Sequence, residues 1–338
     1  MIKEPFQLPS DYKNVASSVP VYHYHTSDFI VNLRTQPADP SSSEGCSERA
    51  SLKGLLHSRW EEAKSRNAFN YGLNCMYKLL EGQYNLSMQL MLYLRCEDRP
   101  ITDDPLDRHV IAINASPLER DHSLIIPSVN KCLPQVISFR KDDLILFQVL
   151  TPTAIRIATD VMLLVTDDSF NILFNSLLGQ ASVNHLHMHC LYWPYESDLI
   201  NRRFEPLNDL TNVYIIEPPN WLCSAFAFQL RTIDEYDTFR NNLTRCVQFL
   251  TDQNQAHNVF ITRAQPIRTS GPVHEEDRGG AKPPTNFNPA ANELAGCLTS
   301  YTIRFFESAS EQAAVRIIEE EAQLQSDVFQ KVGLRFAN

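Results

Sequence analysis

A chain of 338 residues, 43% hydrophobic and 21% charged, has the make-up of a globular protein long enough for two domains, which excludes fibrous and low-complexity classes. Its formal net charge of −10 excludes a non-specific nucleic-acid or anionic-membrane surface, because both need a positive field, so a phosphate-bearing ligand must be held by local donors. Eight cysteines without a CxxC pair are expected to be reduced thiols, the N-terminus has no apolar leader core, and no run reaches membrane-span length; the expected compartment is the cytoplasm.

Residues 1–48 carry scattered prolines and the tract QPADPSSSEGCSE, and are expected to form a mobile arm with one edge-strand piece, VPVYHYHTSDFIVNL. From Ala50, the residues Leu52, Leu55, Leu56, Trp60 and Ala63 recur at helical spacing, with Ser47 or Ser51 as the cap and Trp60 in the core. His109 to Pro127 reads as two strands around the turn SPLERD, and TPTAIRIATDVMLLV from Thr151 as a capped helix. Between them lies CLPQVISFRKDDLILFQVL, a connection with no assigned role.

The next stretch, LFNSLLGQASVNHLHMHCLYW from Leu173 to Trp193, carries His185, His187 and His189 at two-residue spacing. On a strand all three imidazoles share one face, about 6.7 Å apart, while Leu186, Met188 and Cys190 face the core. A glycine and small polar residues, GQASVN, stand just before them, where backbone N–H groups approach an anion closely. Spacing alone leaves structural histidines, a metal site and catalysis all open, although neighbours on one flat strand seldom converge on one ion.

After Pro194 the pattern weakens. TNVYIIEPPNWLCSAFAFQL alternates like strands, EYDTFRNNLTRCVQFLTDQNQAH is helical, HNVFITRA is a strand, 269–290 is a polar loop, and SASEQAAVRIIEEEAQLQSDVFQKV is a helix. The expected division is a mobile arm over 1–48, a catalytic domain over 49–203 and a C-terminal α+β domain over 204–338.

His185 through Leu191 fits the H-apolar-H-apolar-H-apolar-apolar pattern and so resembles the histidine-triad superfamily. INASPLERDHSLIIP, with His122, is similar to that superfamily's other motif. Together with SRWEEAKSRNAFNYGL from Ser58 and AHNVFITRAQP from Ala256, these blocks resemble the GDP-D-glucose phosphorylase family, relatives of the plant GDP-L-galactose phosphorylases. Two stretches depart from that family's pattern: Met91 to His109 is short, and a strand near residue 275 is missing.

The resemblance implies an α+β fold, a histidine-triad-like antiparallel sheet with packed helices, followed by a second strand-and-helix succession that fits a degenerate copy. It further implies GDP-hexose and inorganic phosphate as partners, with no cofactor, metal, nucleic acid or membrane. His187 would be the nucleophile, with His185 and His189 flanking it. His122, Asn114, Asn175, Gly179, Gln180 and Ser182 would contact substrate. Substitution at His187 is expected to spare the fold, as for a strand-surface side chain. Two alternatives remain: a histidine-triad hydrolase in which water resolves the adduct, and a guanine-nucleotide-binding regulatory protein without turnover.

Overall fold

Five antiparallel strands form the sheet on which the histidines are displayed. The structure, a computed structural model, describes residues 21–32, 51–66, 95–96, 109–114, 117–128, 137–140, 143–146, 150–176, 186–193, 197–207, 210, 212–253, 255–269, 290–296, 298, 308–322 and 326–337. In chain order the elements are β1 (His23–Tyr24), α1 (Leu52–Ser65), β2 (Arg95–Cys96), β3 (Val110–Ile113), β4 (Ser123–Ile126), β5 (Ile137–Arg140) and β6 (Asp143–Leu146). There follow α2 (Pro152–Leu164), β7 (Phe170–Asn175), β8 (Met188–Tyr192), β9 (Glu205–Pro206), β10 (Val213–Ile216) and β11 (Ala225–Phe228), then α3 (Tyr236–Asp252), β12 (Asn258–Thr262), α4 (Ala291–Leu294), α5 (Glu311–Ala322) and α6 (Ser326–Ala337). The fold is α+β.

The main sheet runs β12-β7-β8-β4-β3, all neighbours antiparallel. Alternation gives it two different faces. Ile125, Phe170, Ile172, Phe174, Leu186, Met188 and Cys190 point to a large core that α1 and α2 cover with Leu52, Leu56, Trp60, Ile155, Ala158 and Val161. Ser51 caps α1 by accepting from Gly54 N–H, and Thr151 caps α2 by accepting from Ala154 N–H with Pro152 in its first turn. The connection between β4 and α2, for which the sequence suggested no role, holds the hairpin β5–β6.

Two features cross the expected boundaries. β12, well beyond residue 204, completes the edge of the main sheet beside β7, with Asn258 opposite Asn175. Residues 21–32, within the piece expected as an edge strand of the arm, form β1 beside β2 and are packed against the next domain: Tyr24 is 1% exposed and its hydroxyl donates to Asp160 on α2, while Ile30 N–H donates to the Leu163 carbonyl. The physical reason is a buried carboxylate that needs donors, which periodicity cannot reveal.

Arg263, at the end of β12, closes the C-terminus of α2, donating to the carbonyls of Met162 and Val165 at 2.7 and 3.0 Å and to Val31 at 3.3 Å. Helix C-termini leave carbonyls unpaired, and a guanidinium fork is suited to several of them at once. A second sheet, β11-β10-β9, packs Phe204, Ile216, Trp221 and Leu222 against Ala314, Ile317 and Ile318 of α5. The single C-terminal helix expected from the sequence is two, α5 and α6.

Candidate active site

The second face of the main sheet carries the histidines. As alternation predicts, Leu186, Met188 and Cys190 are core residues, which turns His187 and His189 to the opposite face. The strand begins at Met188, so His187 sits immediately before it. Its ring meets His189 edge-on with centroids 4.9 Å apart, closer than the spacing along the strand, because the side chains lean together. His187 is only 6% exposed, which corrects the expectation of a strand-surface side chain. His185, Gly179, Gln180 and Ser182 lie outside the described residues.

β4 is the next strand, and Leu124 is paired with His189. His122, two residues before Leu124 and fully buried, therefore reaches the same face, its ring centroid 5.1 Å from that of His189. Its Nδ1 lies 3.0 Å from the backbone N–H of Leu118, a group that only donates, so Nδ1 accepts. The neutral ring then holds its hydrogen on Nε2 and donates it across 2.8 Å to Nδ1 of His189. His189 in turn carries its own hydrogen on Nε2. One backbone amide thus sets the tautomers of two imidazoles in series.

Electrostatics keep both rings neutral. Burial, with the nearby His187 adding to it, pushes the His122 pKa down to about 3. Burial first, then His122 and His187, holds His189 well below the ordinary imidazole value. Uncharged rings of defined tautomer act as hydrogen-bond donors at neutral pH without first losing a proton.

The two asparagines expected to touch substrate are at this face's margins. Asn114 continues β3 opposite His122, its backbone N–H 3.4 Å from the His122 carbonyl. Its Nδ2 approaches His122 Nε2 at 3.5 Å, but two donors facing each other do not bond. Asn175, at the end of β7, accepts from Ala291 N–H through Oδ1 at 2.7 Å and so holds α4 against the sheet. Beyond the histidines this face becomes apolar: Leu173, Leu191, Trp193 and Phe260 pack under Ala291 and Ala295.

No motif in the sequence marks the charged groups that adjoin His122. Asp121 has φ 62°, a left-handed conformation that aspartate tolerates better than most residues. Its carboxylate oxygens lie 3.3 Å from Nδ1 of His57 on α1, and Arg120 Nη2 reaches His57 Nε2 and Glu61 Oε1, both at 2.8 Å, over the Trp60 ring. Among the described residues no group of three or more His, Cys, Asp or Glu is placed to hold a metal ion, and no helix is long and apolar enough to cross a membrane.

Comparison with known proteins accords with this geometry. The chain is 52% identical to GDP-D-glucose phosphorylase 1 of Caenorhabditis elegans over an aligned length of 385 positions, covering 96% of this chain and 77% of that protein. It is 31% identical to the human GDP-D-glucose phosphorylase 1 over 223 positions, 62% of this chain and 54% of the relative. With GDP-L-galactose phosphorylase 1 of Arabidopsis thaliana it shares 24% identity over 84% of its length and 72% of the plant protein's. The crystal structure of yeast Ap4A phosphorylase Apa2 with Ap4A covers 82% of this chain and 99% of the yeast chain at 14% identity, with a TM-score of 0.47. The GDPGP1-like N-terminal domain model matches residues 91–146 and 141–191, and the GDPGP1-like C-terminal domain model matches 201–335. With both family models matched in order across most of its length, the chain belongs to the GDPGP1-like family.

Proposed function

We propose that this protein is a nucleotidyltransferase that phosphorolyses GDP-D-glucose through a guanylyl-histidine intermediate. The observation that carries the reading is the row His122, His189 and His187 on one sheet face, with the first two rings neutral and of fixed tautomer. In the first step His187 attacks the α-phosphorus, a P–N bond forms, and the bond to the bridging oxygen breaks to release glucose 1-phosphate. In the second, an oxygen of inorganic phosphate attacks the same phosphorus, the P–N bond breaks, and GDP leaves.

Negative charge grows on the non-bridging oxygens of the α-phosphate in both steps, and a donor aimed at them acts where charge develops. The Nε2–H of His189 is suited to that task, with His185 as its counterpart and Ser182 and the Gly179–Gln180 backbone as further donors. Asn114 and Asn175 are assigned to the ribose or phosphate. Support for the substrate comes from the 52% identical nematode protein and its name. The free thiols Cys190, Cys223 and Cys246 support a cytoplasmic location.

The test is to incubate the pure protein with GDP-glucose, with and without inorganic phosphate, and to follow glucose 1-phosphate and GDP. Phosphate-dependent formation of both is expected. GMP in place of GDP would make the protein a hydrolase, and binding without turnover would make it a regulatory protein.

A further inference from the structure

The bracket formed by His57, Arg120 and Asp121 ties α1 to one turn. Residues 117–121 form that turn, and it supplies the Leu118 N–H on which the His122 tautomer depends. A tautomer fixed by one backbone amide is only as secure as the position of that amide. Within the turn Asp121 stands at φ 62°, in the left-handed region.

The bracket's own hydrogens follow from its chemistry. Arg120 only donates, so His57 Nε2, 2.8 Å from its Nη2, accepts. The same Nη2 also lies 3.3 Å from His57 Nδ1, and that nitrogen faces both Asp121 oxygens at 3.3 Å. Glu61 Oε1 accepts from the same Nη2 at 2.8 Å, and the Trp60 ring lies under the guanidinium with its carbon 5.8 Å from the centroid. Two consecutive residues of the turn, Arg120 and Asp121, are thus joined to one imidazole of α1. α1 is itself anchored by Leu52, Leu56 and Trp60 in the core.

We propose that His57 and Arg120 are positioning residues which, by tying the 117–121 turn to α1, fix the tautomer of His122 and through it the hydrogen that His189 presents to the reaction. The kinetic consequence rests on the phosphorolysis proposed above, whereas the tautomer itself does not.

The experiment uses the full chain labelled with 15N-histidine. Long-range proton–nitrogen spectra of the wild type are expected to show His122 protonated at Nε2 and accepting at Nδ1. His57→Ala should turn His122 into a mixture of tautomers and lower kcat about tenfold with KM unchanged, because a misplaced donor weakens the transition state and not substrate binding. His57→Gln, whose side-chain amide offers one acceptor and one donor as the imidazole does, should restore both the tautomer and kcat. Arg120→Ala, at an exposed side chain, should reproduce the effect of His57→Ala and stands in for it if that variant folds poorly. A His122 tautomer unchanged in both alanine variants would overturn the proposal. If the wild type fails to phosphorolyse GDP-glucose, the proposed function falls, and the tautomer spectra still decide the positioning role.

Discussion

His122 Nε2 stands 2.8 Å from His189 Nδ1, and the single hydrogen between them belongs to His122 because its other nitrogen is engaged by Leu118 N–H. The pair is buried and neutral, with His122 pushed down to about 3. In the unfolded chain the same ring titrates near its ordinary 6.5.

Between those two values the unfolded state binds more protons than the native state, so stability rises with pH there and is lost as pH falls from about 6.5 toward 3. Each such ring contributes a slope of up to about 1.4 kcal/mol per pH unit. Urea midpoints of wild type and His122→Gln, measured from pH 7.5 to 4.5, should show a steeper acid decline in the wild type. Parallel curves would mean that the pair does not titrate as buried neutral rings.

The nucleophile is tested by leaving out its acceptor. Without phosphate, a quenched reaction with GDP-glucose should contain acid-labile GMP on His187, since a two-step mechanism accumulates its adduct when the second substrate is absent. Label on any other residue would refute the assignment. Because His187 is buried, His187→Gln is a better probe than alanine, which would leave a hole. Turnover should fall on the order of a thousandfold or more with the glutamine. His189→Asn should cost on the order of a hundredfold, the loss of one charge-stabilising donor.

Asp160 offers a stability test far from the site. This 1% exposed carboxylate on α2 accepts from the hydroxyls of Tyr24 and Tyr236, joining the N-terminal segment to α3. Burial raises its pKa, and the two hydroxyls pull it back. Tyr24→Phe or Tyr236→Phe alone should cost about 1–2 kcal/mol by denaturation. With both donors gone the carboxylate keeps only Arg156 Nε, 4.0 Å away, and should protonate, so the double cost should be less than the sum. A raised native pKa gives stability that is present below the unfolded pKa and lost as pH rises, so the double variant's deficit should shrink at lower pH. Additive, pH-independent costs would count against this account.

The elements that carry the site were legible because their signals are local. Two-residue alternation placed Leu186, Met188 and Cys190 in the core and so fixed the face of the neighbouring histidines. Capping residues marked α1 and α2, through Ser51 and Thr151. What escaped depends on contacts between distant residues. Nothing near His57 in the sequence points to Asp121, 64 positions away, and β12 joins β7 across more than eighty residues. Asp160 did leave a trace, as the lone carboxylate of the largely apolar helix PTAIRIATDVMLL, which also carries Arg156. A charge there signals a buried partner, but not which one.

The last prediction concerns sugar discrimination. The alignment with the nematode relative spans 385 positions, longer than this chain, so that protein carries internal segments without counterpart here. The resemblance to the family leads us to expect such departures before His109 and near residue 275, away from the triad blocks. In the proposed reaction the histidine row meets the α-phosphate, which every GDP-hexose shares, so chemistry at phosphorus should be indifferent to the sugar. Specificity is a difference of contacts, and contacts that are absent discriminate against nothing. Steady-state kinetics with GDP-glucose, GDP-mannose and GDP-galactose should then give similar kcat/KM values, with GDP competing against all three. A hundredfold preference for GDP-glucose would correspond to about 3 kcal/mol of differential transition-state binding. A preference that large would place the sugar contacts elsewhere in the chain and end this prediction.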